Sequence, residues 1–325
     1  MVSDQLGESD MNIVTRVIVF IAFAWVVIFG YARELKRLMF GDKTILKPGY
    51  PPMFSGLDTF FVKYMYGRMS DCFNRPICGN AGRTIDVMTR EREGHPLFAR
   101  EYKLTGKIQK CINLGSYNYL GFSENEGPIN DQVIASMDCH SMSSCSPPLM
   151  GGWTELHRDL EKCIASFLSK EDAIVWGMGW GVNATGIASL CGRGTLIVSD
   201  TLNHASLVVG CRASGGRVKT FTHNDTACLE KVVRNAIIHG QDKTHRPWKK
   251  IIIIVEGIYS MEGELCPLQE IVRIKNKYKC FLYVDEAHSI GAIGATGRSA
   301  FFFPIDRLSI YLSIYLSIYL SIYLS

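Results

Sequence analysis

The sequence has no Cys-x-x-Cys pair. Its eleven cysteines, an odd number, show neither zinc spacing nor a disulfide framework. That argues against a metal ribbon or a disulfide-stapled scaffold and for free or buried thiols in a reducing compartment; no metal is expected. An excess of one charge is also lacking. The 325 residues carry 35 basic and 31 acidic side chains, net +4, too even a balance for a nucleic-acid surface. The N-terminus has neither the basic start nor the small-residue cleavage site of a secretory leader. A Gly-x-x-x-x-Gly-Lys-[Ser/Thr] loop is missing too. The nearest attempt, Gly106-Lys107, runs into Ile108 and has Glu101 where the first glycine belongs. The Asp-Glu-Ala-His run at 285–288 is therefore not read as a helicase strand.

What is present begins with an uncharged apolar run, VIVFIAFAWVVIFGY, at 17–31. Extended back to Asn12 it gains only Arg16 as a charge, and about 20 helical residues span a bilayer core. Asp4, Glu8 and Asp10 precede it, while Arg33, Lys36, Arg37, Lys43 and Lys47 follow. The positive-inside rule then places the body of the protein in the cytosol. In that setting the sequons at Asn183 and Asn224 are chance matches. A helix lying in one leaflet is the competing reading, and Leu35, Leu38, Met39 and Phe40 could continue it along the membrane surface.

Residues 41–112, opened by Pro48, Pro51 and Pro52, read as a wrapping segment with little local pattern. From Asn113 onward the order improves. Thr154 can cap a helix with Leu156, Leu160, Ile164 and Phe167 on one face. Short strands are expected at 173–176, 195–199, 217–221, 251–255 and 281–285, and helices at 204–213, 225–239 (stopped by Gly240) and 268–278. The 251–255 run is apolar throughout, as a strand buried on both faces requires. Alternating strands and helices imply an α/β domain with a largely parallel sheet. From Leu308 the chain reads LSIY repeatedly, a unit too short for a solenoid. It matches a translated CTAT repeat, so 300–325 is expected to be a low-complexity tail of spurious origin, with a hydrophobic interaction tail as the alternative.

Four motifs fall at the expected C-terminal ends of strands, where open α/β sheets bind ligands. Gly177, Gly179 and Gly181 precede a helix whose N-terminus suits a phosphate, although the third glycine of Gly-x-Gly-x-x-Gly is missing. His204 follows the second strand, where it could stack on a flat ring or simply cap a helix. The Glu256-to-Gly263 stretch, with Ser260, follows the most buried strand. Asp285, Ala287 and His288 end the last, and an acid there can hold a proton on a heteroaromatic nitrogen.

In this order and spacing, with NLGSYNYLGF at 113–122, SDTLNHASLVVGCRASGG at 199–216, RPWKKIIIIVEGIYSMEG at 246–263, YVDEAHSIGAIGATGR at 283–298 and the segment 49–77, the chain resembles the α-oxoamine synthases. These are pyridoxal-phosphate enzymes of the aspartate-aminotransferase fold (fold type I), and the resemblance is strongest to catalytic long-chain-base subunits of serine palmitoyltransferases. It implies an incomplete large domain at 113–299, after a tail at 1–11 and a membrane and juxtamembrane segment at 12–40. It implies decarboxylative condensation of L-serine with palmitoyl-CoA to 3-ketosphinganine, pyridoxal 5'-phosphate as cofactor, a heterodimer with a homologous non-catalytic subunit, and an endoplasmic reticulum membrane location. By resemblance, Gly179 and Trp180 lie at the cofactor phosphate, and His204 stacks on its ring. Asp285 pairs with the ring nitrogen, Ser260 and His288 lie near its phenolic oxygen, and Asn118 and Tyr119 line the substrate entrance.

Two departures stand out. Where the family has an arginine shortly after Cys145-Ser146, this chain has Pro147 and Pro148. No lysine follows Lys279, yet the family's cofactor-linking lysine comes about two elements after the Asp-x-x-His motif. The polypeptide as written is therefore expected to be inactive and poorly folded alone. The alternative is a partner-like or truncated subunit that binds the other subunit without catalysis.

Overall fold

A computed structural model describes residues 12–40, 66, 73–92, 102–140, 143–294, 296–298 and 310–313. The N-terminal tail, the proline-led stretch before residue 66, the side chains of Arg33, Lys36, Arg37, Leu38 and Phe40, and the repeat beyond 313 lie outside the described residues. The chain divides into two compact units, Met1–Leu114 and Gly115–Ser325.

In the first unit a long helix, α1, runs from Ile13 to Phe40. Asn12 caps it, its Oδ1 accepting from Thr15 N–H at 2.8 Å. The helix is long and apolar enough to cross a membrane over Ile13–Ala32, with a mean hydropathy of 2.5 and almost no burial. Phe20 is 75% exposed; apolar side chains facing outward all round a helix match an apolar solvent. The same unit holds an antiparallel sheet of β1 (Ile77–Cys78), β2 (Thr84–Arg92) and β3 (Tyr102–Ile112), in that order. Sequence patterning missed this sheet. Most of β3 is exposed, so little hydrophobic alternation marks it, and a register shift between Met88 and Arg90 interrupts what remains.

The second unit contains α2 (Pro128–His140), α3 (Glu155–Phe167), α4 (Gly179–Leu190), β4 (Thr195–Asp200), α5 (Ala205–Ala213), β5 (Arg217–Phe221), α6 (Thr226–His239), β6 (Lys250–Glu256), the small hairpin β7 (Ile258–Tyr259) and β8 (Glu264–Leu265), α7 (Leu268–Tyr278), β9 (Phe281–Asp285) and β10 (Ile310–Ser313). Sheet order is β5-β4-β6-β9-β10, all parallel. Because side chains alternate along a strand, each central strand feeds two cores. Ile253, Val255, Leu282 and Val284 pack with Leu229 and Val233 of α6 and Ile271 and Ile274 of α7. Ile252, Ile254 and Tyr283 pack on the other face with Ile187 of α4 and Leu207 of α5. β6 is thus buried on both sides, as its uninterrupted apolar run requires.

The expected helix ends hold well. Thr154 precedes α3, its N–H donating to His157 Nδ1 at 3.3 Å. Asp225 caps α6 by accepting from Cys228 N–H at 2.8 Å, and Gly240 follows the last turn. Asp225→Ala is expected to cost about 1 kcal/mol, read as a lowered midpoint in urea denaturation with an unchanged slope. The expected strand at 173–176 does not form. Its extended backbone has no strand neighbour among the described residues, and Val175 N–H donates instead to Glu161 Oε1 at 3.1 Å. Helix α2 escaped sequence reading because none of its residues is buried; without an apolar stripe there is no period to detect. Four residues of the LSIY repeat form β10, in parallel register from Ile310 opposite Leu282 to Ser313 opposite Asp285.

Candidate functional site

The chain leaves β4 toward β5 on one side, while β6 pairs on the other. The C-terminal ends of β4 and β6 therefore flank the point where strand order reverses, the crevice that open α/β sheets use for ligands. Asn203 ties these ends together, donating from Nδ2 to Ser199 Oγ at 2.9 Å and to the Ile254 carbonyl at 2.8 Å. Strand parity then decides what faces this crevice. Ile252, Ile254 and Glu256 alternate on one face of β6. Tyr283 and Asp285 lie on the same face of β9, toward α4 and α5, and Glu256 stands directly opposite Asp285 in register.

Asp285 is 3% exposed. It accepts from Asn183 Nδ2 at 2.6 Å and from Ala287 N–H at 2.9 Å. Burial pushes its carboxyl up to about 6 against the pull of those two hydrogen bonds. Among the described residues no cation pairs with it, so this buried acid lacks a countercharge there.

Glu256 is also buried. It accepts from the backbone N–H of His204, and burial, then the charge of Asp285, pushes it up to about 8. Two carboxylates side by side in a dry crevice cannot both ionise cheaply; Glu256 holds its proton through neutral pH and leaves Asp285 the charge.

His204 is the N-cap of α5. Its Nδ1 accepts from Ser206 N–H at 3.3 Å and lies 2.6 Å from Ser206 Oγ. The two readings of this histidine are compatible. One nitrogen is spent on the cap, and the side chain remains exposed, its face free to stack. His288 Nδ1 lies 3.0 Å from Tyr119 Oη. Burial, and then the charge of His204, keeps His288 below the ordinary histidine pKa. Tyr117, Tyr119, His288, Ser260, Met261 and Ile258 line an open cleft of about 330 Å³.

The first turn of α4 leaves backbone donors at Gly179, Trp180 and Gly181 without helical partners. A Cβ on Gly177 would meet nothing, and one on Gly181 would come no nearer than 3.9 Å to Met178. Protein packing does not demand those glycines, and the space beside them is open.

Gly210 is different. A Cβ there would meet the Asn183 carbonyl at 2.4 Å, so glycine is what lets α5 lie directly on α4.

The fold thus assembles His204, Asp285, His288, Ser260 and Tyr119 around one sheet edge, with Gly179 and Trp180 one turn before Asn183. Asn118 precedes Tyr119, and its Oδ1 accepts from Ser123 N–H at 3.2 Å within its own loop. The Cys145-Ser146-Pro147 stretch forms a turn, Met150 N–H donating to the Pro147 carbonyl at 2.9 Å. Sequence reading missed Asn183 and Glu256 as site residues. Asn183 stood only as a sequon, though its place one turn into the helix after the glycines was a signal. Glu256 stood inside a motif with no role attached.

The family model for aminotransferase class I and II matches residues 109–313. The chain is 48% identical to serine palmitoyltransferase 2 of Dictyostelium discoideum over 91% of its length and 60% of the relative's. It is 45% identical to long chain base biosynthesis protein 2b of Arabidopsis thaliana, over 87% of this chain and 58% of that protein. The chain spans between 50% and 60% of the length of these and similar curated relatives. Among solved structures, Sphingomonas wittichii serine palmitoyltransferase superposes with a TM-score of 0.60 at 25% identity, covering 76% of this chain and 57% of that one. A structure of SPT with PLP superposes at 0.54 with 28% identity, covering 65% and 50%.

Proposed function

The chain belongs to the aminotransferase class I and II family, and from that premise we propose that it is a catalytic polypeptide of serine palmitoyltransferase, joining L-serine to palmitoyl-CoA with loss of carbon dioxide to give 3-ketosphinganine. The observation that carries the reading is the buried Asp285 carboxylate at the end of β9, with no cation against it among the described residues, and the exposed His204, whose N–H bonds to Glu256 opposite Asp285. That pair fits a flat heteroaromatic cation, and pyridoxal 5'-phosphate is that cofactor in solved relatives. When bound, it supplies an electron sink for the carbanion at the amino-acid α-carbon.

The chain's own residues then have distinct tasks. Asp285 would keep a proton on the ring nitrogen. His204 would hold the ring and orient the substrate carboxylate. The α4 backbone N–H groups at Gly179 and Trp180 would receive the phosphate. Ser260 and His288 hydrogen-bond near the ring's phenolic oxygen, Tyr119 steadies His288, and Asn118 and Tyr119 border the substrate entrance. The exposed apolar span of α1 fits an endoplasmic reticulum anchor, and the basic residues after it fit a cytosolic catalytic unit paired with a homologous non-catalytic subunit.

The test is product analysis of membranes carrying this protein and its partner subunit. Appearance of 3-ketosphinganine from L-serine and palmitoyl-CoA is expected; use of glycine or alanine in place of serine would overturn the substrate assignment.

A further inference from the structure

We infer that Asn224 is a positioning residue that clasps the β7–β8 hairpin, which leads through Ser260, to the end of β4, where the turn to His204 begins. The bearing of this clasp on the cofactor rests on the reading above; the clasp itself does not.

Sequence reading gave Asn224 no role beyond a chance sequon. It follows β5 with φ +53°, in the left-handed region that asparagine tolerates better than most residues. Its backbone N–H donates to Asp200 Oδ2 at 3.1 Å. Its side chain reaches the hairpin instead. Nδ2 donates to Glu264 Oε2 at 3.2 Å and to the Leu265 carbonyl at 3.3 Å. Both partners are acceptors, so they fix the amide orientation and use both of its protons.

The two ends of the clasp belong to two parts of the site. Asp200 is 2% exposed and closes β4. Its Oδ1 accepts from Leu202 N–H at 2.8 Å, two residues before His204. Glu264 and Leu265 form β8, in register with Tyr259 and Ile258 of β7. Ser260, Met261 and Gly263, between the two strands, line the cleft. Strands of two residues hold little structure by themselves. Gly263 N–H donates to the Tyr259 carbonyl at 2.8 Å, Cys266 N–H to the Gly257 carbonyl at 3.2 Å, and Gly257 N–H to the Asp285 carbonyl at 2.8 Å. Those bonds shape the hairpin and fix its base to β9. None of them reaches the end of β4.

His223 packs at the same joint. Its Nδ1 lies 2.9 Å from Asp200 Oδ1 and its Nε2 lies 3.3 Å from Glu264 Oε2. The ring stands edge-on to the buried Tyr259 ring, with centroids 4.4 Å apart. Nε2 makes no hydrogen bond there. Among the described residues, the hydrogen bonds that join this turn to β8 are therefore those of Asn224.

The test uses the full chain in detergent, first without cofactor. Hydrogen exchange read by mass spectrometry compares peptides over the hairpin, 258–265, with peptides over β6, 251–255. Asn224→Gly keeps the left-handed turn and the N–H bond to Asp200, and removes only the side chain. It should speed exchange in the hairpin about 10-fold and leave β6 unchanged. Glu264→Ala should speed it about 3–10-fold. Glu264→Gln, whose amide oxygen still accepts from Asn224, should restore the parent rate. With pyridoxal phosphate added, Asn224→Gly should raise the apparent Kd about 3–10-fold. In a Ser260→Ala background the same change should add nothing, because the clasp acts through the placement of Ser260.

An unchanged hairpin rate in Asn224→Gly, an equal rise in hairpin and β6, or no rescue by Glu264→Gln overturns the clasp. Independent losses of affinity from Asn224→Gly and Ser260→Ala overturn its positioning of Ser260. If Asn224→Gly does not fold, the two variants at the exposed Glu264 decide. Local loosening of the hairpin in a chain that binds no pyridoxal phosphate would sink the functional reading and leave the clasp standing.

Discussion

Replacing Asp285 by asparagine is expected to weaken pyridoxal phosphate binding by about 10²–10³-fold, the effect of removing one partner from a buried charge pair. The carboxylate is buried, raised to about 6 by that burial and held by two neutral donors. A protonated ring nitrogen would supply a positive charge that no described residue places there. Asparagine keeps the shape and loses the charge, and its amide turns a donor toward Asn183 or Ala287, which are donors already. The pH dependence gives a second reading of the same event. In the unaltered protein, affinity should rise as pH climbs through about 6, because only the ionised carboxylate pairs with the cation. Asp285→Asn should lose that rise. Fluorescence titration with cofactor between pH 5 and pH 8 measures both. Equal affinity in the two proteins, or the same rise in both, would sink the assignment of Asp285.

Glu256→Gln should act on stability and in a pH-dependent manner. The folded-state pKa of Glu256 is raised, to about 8, by burial and then by Asp285. Below the unfolded carboxyl value, near 4.3, the group is protonated in both states and nothing is gained by the change. As pH rises from there to about 8, the unfolded chain releases its proton while the folded chain must retain it, so stability is lost across this window. Asp285 adds a loss of the same sign at lower pH. Glutamine cannot ionise, and its amide oxygen can still accept from the His204 N–H. The variant is expected to match the parent near pH 4 and to exceed it by roughly 5 kcal/mol near pH 9. Thermal denaturation across that range measures it. A constant difference at all pH values would show that Glu256 does not hold a proton in the native state.

Much of this was legible in the residues, and where legibility stopped has a physical cause. The strands at 195–199, 217–221, 251–255 and 281–285 and the helices after Asp225 and at Leu268–Tyr278 matched because their burial is regular. A sequence displays its structure wherever one face meets a core. Strands β1 and β3 and helix α2 are largely exposed, so their patterns are faint. The run at 173–176 has strand composition and no strand neighbour among the described residues, and composition does not report on neighbours.

The site divides along the same line. His204, Ser260, Asp285 and His288 could be named in advance, because the motifs that hold them fall near the C-terminal ends of expected strands and carry the family resemblance. Asn183 and Glu256 could not be given roles from their own segments. Asn183 lies 102 residues from Asp285, and only the packing of α4 on α5, permitted by Gly210, brings its amide between them. Glu256 draws its proton affinity from burial and then from the charge of Asp285, opposite it on the neighbouring parallel strand. By itself the sequence determined the chemistry present, the elements that carry it and the apolar helix in front. The tertiary structure alone decided which of those groups share a proton, which share a hydrogen bond and which face the open crevice, because those properties belong to pairs of atoms distant in the chain.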